Sequence, residues 1–475
     1  MLFSSTVFLF LFLPITFLVN FLLPNIKLKN LFLVIASLVF YAWGEGELVF
    51  LMLFSILMNY FFGLAIDSTN SKKRKQIILS SSIIGNLSIL GYYKYANFII
   101  ENLNIVFFNW ELDNINHTEV TLPMGISFFI FQCISYVIDV YRKDGKAQKN
   151  ILDLALYISL FPQLIAGPIV RYQDVFEQIE SRFINIDTIA FGIKRFILGL
   201  AKKVLIANTF GLIADQVFAI NNPELSGSVA WLGIICYSFQ IFFDFSGYSD
   251  MAIGLGKMFG FDFRENFNFP YIAQSIRDFW RRWHISLSTW FRDYLYVPLG
   301  GNRKGKYRTF LNLSIVFFLT GLWHGASWNF IVWGMIHGLF LILEKIGLEK
   351  ILSRLPKIVS HIYVLFTVVI AWVFFRSSDL ESSLVFISKL FGFLQPQHTP
   401  YSIPLFLNNE VIIVFIIAIV SSMPVLKFIK SKLSLSFKQN LIWSHLNNLS
   451  LLTLLGLSIM SIASGTHNPF IYFRF

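Results

Sequence analysis

The chain has 475 residues, of which 56% are hydrophobic and 14% charged, and its formal net charge is +11. Soluble domains carry about 25% charged residues, so an ordinary water-soluble globular protein is excluded. A nucleic-acid binder is excluded too, because most basic residues fall between apolar blocks, where they orient a chain in a membrane. A disulfide framework or cysteine metal site is excluded because the two cysteines, Cys133 and Cys236, both sit inside apolar blocks.

The apolar residues come in blocks of roughly 15–22, the length that spans a bilayer as a helix. In lipid a backbone must satisfy its own hydrogen bonds, so these blocks are predicted helices. No alternating pattern of about ten residues suggests a barrel. In chain order the predicted spans are 2–23, 29–43, 47–66, 76–93, 120–141, 204–220, 228–258, 310–323, 328–344, 358–375, 411–426 and 449–464. The first lacks a basic n-region and a small-residue cleavage site, so it is read as a retained helix rather than a signal peptide. The stretch 151–168 is apolar but broken by Pro162, Gly167 and Pro168, and reads as re-entrant. Roughly ten to thirteen membrane segments are expected. No internal repeat or long linker divides them, so residues 1–475 read as one integral membrane domain.

Charge alternates between successive loops. Lys27 and Lys29, then Lys72, Lys73, Arg74 and Lys75, then Arg142, Lys143, Lys146 and Lys149 mark one side. Glu45 and Glu47, then Glu101, Glu111, Asp113 and Glu119 mark the other. The basic side is cytoplasmic by the positive-inside rule, which leaves the N-terminus outside. Lys427, Lys430, Lys432 and Lys438 continue the inside set, and the C-terminus ends outside.

The long segment 259–309 is strongly basic and is expected to be cytoplasmic or interfacial. Within it, Ile276, Trp280, Trp283, Leu287, Trp290 and Tyr294 repeat at helical spacing, as do Arg277, Arg281, His284 and Ser288. A single amphipathic helix over 275–296 is predicted, ended by Pro298, Gly300 and Gly301. It is either a plain interfacial anchor or a basic mouth for an anionic cytoplasmic molecule. Asp244 and Asp250 fall in the span 228–258, where they would serve either a proton path or, the preferred reading, ion pairs that fix packing, with Lys257 and nearby arginines as counter-charges.

The region 310–344 carries the sharpest signal, in "GLWHGASWNFIVWGMIHG" (321–338). An ionisable ring in a membrane segment is a site hypothesis by default. Sixteen helical residues separate Arg308 from His324, about 24 Å, which carries His324 deep into the membrane. The helix is expected to be interrupted near Gly321 and Gly325. A neutral imidazole there can take a proton from a hydroxyl that attacks an acyl carbonyl. His337, thirteen residues on, should face elsewhere and be structural. No HExxH, CxxC, P-loop, GxGxxG or GxSxG motif is present, so chemistry would rest on histidine or buried carboxylates.

"FWRRWHISLSTWFRDYLYVPLGGNRKG" (279–305) followed by "GLWHGASWNFIVWG" (321–334) resembles the membrane-bound O-acyltransferases, and in particular the bacterial branch of the alginate O-acetyltransferase membrane subunit. "FPQLIAGPIVRY" (161–172), "FDFSGYSDMAIGLGKMFGF" (243–261) and "PFIYFRF" (469–475) carry the same resemblance, in order, over nearly the whole chain. It implies an all-α integral membrane protein, a multi-span helical funnel with a central tunnel, in the bacterial cytoplasmic membrane. It implies that His324 and His284 are the catalytic pair, and that no metal or cofactor is bound. Acetyl-coenzyme A or another acyl donor would enter from the cytoplasm and meet Arg277, Trp280, Arg281 and Arg282. The acetyl group would pass to an exported cell-envelope polysaccharide, with a separate extracytoplasmic acetyltransferase as partner and membrane lipid around it. Acyl transfer to peptidoglycan, teichoic acid or a lipid is the alternative within this chemistry. A polysaccharide or lipid transporter is the alternative outside it, weakened by the lack of paired repeats.

Overall fold

The computed structural model describes residues 1–394, 396, 398–425, 428–429, 441–465 and 471. Lys427, Lys430, Lys432 and Lys438 lie outside the described residues, as does all of 469–475 except Ile471. The described residues form helices and connecting loops, with no β-strand among them. Six helical runs are long and apolar enough to cross a membrane: Ile26–Ser68, Ile186–Phe218, Gly227–Met258, Trp328–Leu352, Lys357–Arg376 and His445–Ala463. The protein is therefore an all-α, multi-pass membrane protein. Ile26–Ser68 contains 43 residues and turns at Gly46, whose φ of +55° is open to glycine. Other segments expected from the sequence also form helices, but these are shorter or carry more charge.

The chain folds into two compact units, Met1–Ile193 with Ala252–Arg264, and Lys194–Met251 with Glu265–Phe475. In the first, Ile126–Arg142 is buried at every residue from Ile126 to Val140, including the polar Ser127, Gln132, Ser135 and Asp139, so it is enclosed on all sides. Val49–Ser68 and Lys72–Leu90 pack on it. Gly63 permits this, since a Cβ there would overlap the Tyr136 hydroxyl. Asn59 and Asn86 join the two neighbours by reciprocal amide hydrogen bonds of 3.0 and 2.8 Å, polar adhesion of the kind membrane helices use. Ile151–Ser159 has nine residues, about 14 Å, against a hydrocarbon core of about 30 Å. It breaks at Leu160 and continues as the buried Phe161–Leu164. The non-spanning reading of 151–168 fits this geometry, because irregular backbone at membrane depth must be enclosed by protein.

Two helices run well past their predicted ends. Lys72–Leu90 continues through a wide π turn, Gly91–Tyr95, into Ala96–Asn109, so Glu101 lies on a helix rather than in a loop. Its polar residues hold the following loop instead of ending the helix. The Asn97 amide exchanges two 3.0 Å bonds with the Val120 backbone, and Asn104 binds Ile115 in the same way. The span predicted at 204–220 begins instead at Ile186.

Lys194, Arg195, Lys202 and Lys203 had masked that continuation, yet three of these charges are paired. Arg195 and Lys202 each approach Asp250 to 2.6 Å, Arg195 also holds Glu265, and Lys203 lies 2.7 Å from Asp244. The counter-charges for Asp244 and Asp250 thus come from this helix. Lys257, proposed for that role from sequence, pairs with Asp262 at 2.8 Å.

The Lys203 and Asp244 side chains are 2% and 1% exposed, and removing one partner of so buried a pair typically costs about 3–5 kcal/mol. Asp244→Asn should therefore lower the thermal unfolding temperature in detergent. The double variant Lys203→Met/Asp244→Asn should recover part of the loss, because it leaves no ammonium stranded. An unchanged melting temperature in Asp244→Asn would show that the pair does not hold the fold.

Candidate active site

The site is built in the second unit on a helical hairpin, Lys306–His324 and Trp328–Leu343. The two backbones touch. A Cβ at Gly321 would overlap the Phe330 carbonyl, and one at Gly334 the Phe317 carbonyl. The first helix is not interrupted at Gly321, as the sequence suggested. It runs unbroken to His324, and Gly325 leaves it in an extended conformation. Ser327 caps the next helix by accepting from the Asn329 N–H at 3.2 Å. His324 is thus the last residue of a helix, turned inward and 4% exposed.

Aromatic rings enclose it. The His324 ring lies 4.9 Å from Trp323, 4.8 Å from Trp333 and 5.2 Å from Phe375. It lines a small cavity of about 10 Å³ with Ile241, Phe245, Trp283, Trp333, Trp372, Phe375 and Ile471, room for about one water-sized group. The Ile471 N–H donates to Asp244 Oδ2 at 3.0 Å, which ties this wall to the Lys203–Asp244 pair. His337 also packs on Trp333, 5.1 Å from it, and lies 5.2 Å from Trp280. Neither of its nitrogens has a hydrogen-bond partner among the described residues.

The single amphipathic helix expected over 275–296 does not form. The chain makes Ile276–Arg282, breaks at Trp283 and His284, resumes as Ile285–Phe291 and ends in a π turn, Arg292–Tyr296. His284 takes a left-handed backbone conformation, φ +43° and ψ +55°, which costs a β-carbon residue about 1–2 kcal/mol. The break is imposed from outside. The Asn268 N–H donates to the Arg282 carbonyl and the Ile285 N–H to the Asn266 carbonyl, both at 2.9 Å.

His284 therefore leaves the basic face on which sequence spacing put it and becomes fully buried. Burial holds its conjugate acid well below the ordinary imidazole range, so the ring is neutral. Its Nδ1 lies 3.1 Å from Asn266 Oδ1. The Trp323 indole packs near both imidazoles, 6.0 Å from His284 and 4.9 Å from His324.

The arginines separate into two groups. Arg277, Arg281 and Trp280 line an open pocket of about 380 Å³, together with Arg292, Ser288, Thr289 and Tyr296. Arg282 is not among the lining residues; its guanidinium bonds Asp278 at 2.9 Å and the Asn268 carbonyl at 3.2 Å. Sequence reasoning missed Arg292 as a pocket residue. It also missed Glu344, whose buried carboxylate accepts from the Ile276 N–H at 2.5 Å, the Arg277 N–H at 3.1 Å and the Tyr363 hydroxyl at 3.1 Å. That carboxylate anchors the start of the helix that presents Arg277, Trp280 and Arg281. An acid closing the apolar run 328–343 was the available signal.

The pocket reaches toward His324. Its inner wall includes Val316, Phe317 and Thr320, and Thr320 is one helical turn before His324. Trp280 lines the pocket and packs 5.8 Å from Trp333, which lines the His324 cavity. Trp280 and Thr320 thus link the arginine-rimmed pocket to the surroundings of a buried imidazole, an arrangement suited to bringing an anionic donor to a base.

Comparison with known proteins agrees with that class of chemistry. The profile of MBOAT, the membrane-bound O-acyltransferase family, matches residues 146–375. The chain is 41% identical over 489 residues to the probable alginate O-acetylase AlgI of Pseudomonas putida, covering all of both chains. The chain belongs to the membrane-bound O-acyltransferase family and is an O-acyltransferase. It is also 46% identical over 398 residues to the probable alginate O-acetylase AlgI of Pseudomonas aeruginosa, covering 83% of this chain and 75% of that one. To the peptidoglycan O-acetyltransferase of Helicobacter pylori it is 39% identical over 426 residues, 82% of this chain and 80% of that one.

The two histidines of the hairpin should respond differently to an aromatic replacement. His337→Phe keeps the ring contacts with Trp280 and Trp333 and loses no hydrogen bond to described residues, so acyl transfer should stay within about threefold of wild type. His324→Phe should retain the fold and lose transfer. Initial rates normalised to monodisperse protein make the comparison. Loss of transfer in a folded His337→Phe protein would give that ring a chemical part.

Proposed function

We propose that the protein moves an acetyl group from a cytoplasmic thioester donor, acetyl-coenzyme A or a related carrier, to a hydroxyl of an exported cell-envelope polysaccharide. The observation that carries this reading is the approach of the arginine-rimmed pocket to within one helical turn of His324. Phosphates of a coenzyme or carrier suit Arg277, Arg281 and Arg292, whose guanidinium forks bind them in bidentate fashion. The thioester end would pass Trp280 and Thr320 to reach the imidazole.

There His324 acts as general base. The acceptor hydroxyl oxygen attacks the acetyl carbonyl carbon, its proton passes to the imidazole, and the carbon–sulfur bond breaks. The thiolate then takes that proton back and leaves as the thiol, which restores neutral His324. His284 supplies a second buried imidazole near Trp323. Arg282, bonded to Asp278, shapes the donor segment rather than meeting the donor.

The basic segments 72–75 and 303–308 face the cytoplasm in this reading. The chain then sits in the bacterial cytoplasmic membrane, and the acceptor hydroxyl reaches His324 from the outer side, presented by an extracytoplasmic acetyltransferase partner that acts on the polysaccharide. Relatives named for alginate O-acetylation favour a polysaccharide acceptor. The Helicobacter relative supports peptidoglycan as a second reading.

Radiolabelled acetyl-coenzyme A supplied to purified protein, with alginate-type polysaccharide or peptidoglycan fragments and the candidate partner, tests the proposal. Wild type should move label to one acceptor class, and His324→Ala should move less than about one part in a hundred of it. Arg281→Ala should raise the donor KM several-fold with little change in kcat, as loss of uniform binding does. Full transfer by folded His324→Ala would remove the proposed base. An unchanged donor KM in Arg281→Ala would remove that residue from donor binding.

A further inference from the structure

We infer that Asn266 is a positioning residue that fixes His284 as its Nδ1–H tautomer and so leaves the imidazole lone pair on Nε2. The backbone N–H of Ser286 can only donate, and it points at the Asn266 amide from 3.1 Å. The amide atom facing it is therefore the oxygen. The Ser286 hydroxyl donates to the same oxygen at 2.9 Å. The amide NH2 then faces Ser249 Oγ, 2.9 Å away, which accepts.

With Oδ1 so assigned, the 3.1 Å contact to His284 Nδ1 is a hydrogen bond only if Nδ1 carries the proton. Asn266 also holds the backbone on the far side of the ring, through its carbonyl and the Ile285 N–H at 2.9 Å. One fully buried asparagine thus sets both the left-handed backbone of His284 and its proton. The Nε2 atom is buried and has no protein partner among the described residues. In this tautomer it is an acceptor, ready for a hydroxyl or thiol proton and unable to donate one. Orientation of a ring by a bond to its other nitrogen is how histidine acids and bases are commonly set.

This inference rests on the reading of His284 as part of the transfer site, and the test separates the two. Protein labelled with 15N-histidine is compared as wild type, Asn266→Ala, Asn266→Asp and Ser286→Ala. The His284 signals are identified by their loss in His284→Gln. Wild type, Asn266→Asp and Ser286→Ala should each show His284 as the Nδ1–H tautomer, because an oxygen acceptor remains opposite Nδ1. Asn266→Ala should show the Nε2–H form or a mixture, and its kcat should fall roughly 10²-fold, the scale of lost acid–base catalysis, with donor KM within about twofold. Asn266→Asp should recover most of that kcat.

An Nε2–H tautomer in wild type would overturn the inference. So would a pure Nδ1–H form retained in Asn266→Ala. If Asn266→Ala does not fold, the wild-type and Ser286→Ala spectra still decide. Full activity in His284→Gln, with the tautomer as stated, would uphold the assignment of Asn266 and remove His284 from the transfer reaction.

Discussion

The site depends on one contact, the meeting of two helix backbones at Gly321 and Gly334. Glycine in a helix costs about 1 kcal/mol relative to alanine, and in a membrane the loss is offset by the packing that small residues permit. The close crossing brings Trp323 and His324 on one helix against Trp333 and His337 on the other. A line of alternating rings follows: His284, Trp323, His324, Trp333, His337 and Trp280, with centroids 4.8 to 6.0 Å apart. Pairs of this kind contribute about 0.5–1.5 kcal/mol each beyond their burial. A β-carbon at either glycine would part the helices and break the line at its centre.

The ion pairs of the helix Gly227–Met258 serve the same geometry from another side. Asp244 and Asp250 are anchored by Lys203, Arg195 and Lys202. Between them on that helix lie Phe245, 4.5 Å from the His284 ring, and Ser249, which accepts from Asn266. Fixing the two carboxylates fixes the register of the surface on which His284 rests. Buried ion pairs contribute little net stability against apolar replacements, and here their effect is to set position.

The sequence made some of this legible and hid the rest for identifiable reasons. His324 stood out because an imidazole beside two glycines in an apolar run has few ordinary explanations. The long helix from Ile186 looks shorter in sequence because four basic residues interrupt its apolar run, three of which find carboxylates about 40 to 70 positions away. His284 was placed on the wrong face because helical periodicity continues smoothly through Trp280, Trp283 and Leu287. Nothing local marks the break there. It is imposed by backbone bonds from Asn266 and Asn268, fourteen to nineteen residues upstream. Glu344 escaped for the same reason, since its carboxylate acts on a segment 67 and 68 positions earlier. Periodicity reports which face is apolar, and it is blind to a turn enforced by a distant amide.

The central claim is that an anionic thioester donor enters between Arg277, Arg281 and Arg292 and delivers its acyl carbon to His324. The most direct measurement is an experimental structure of the protein with an acetyl-coenzyme A analogue in which a methylene replaces the thioester sulfur, so that no transfer occurs. The account predicts phosphates against those arginines, Trp280 moved aside, and the acetyl carbonyl about 3–4 Å from the His324 ring, the range of a reacting contact. An analogue bound in the same pocket with its acyl end directed away from Thr320 and His324, or bound on another face of the protein, would contradict it.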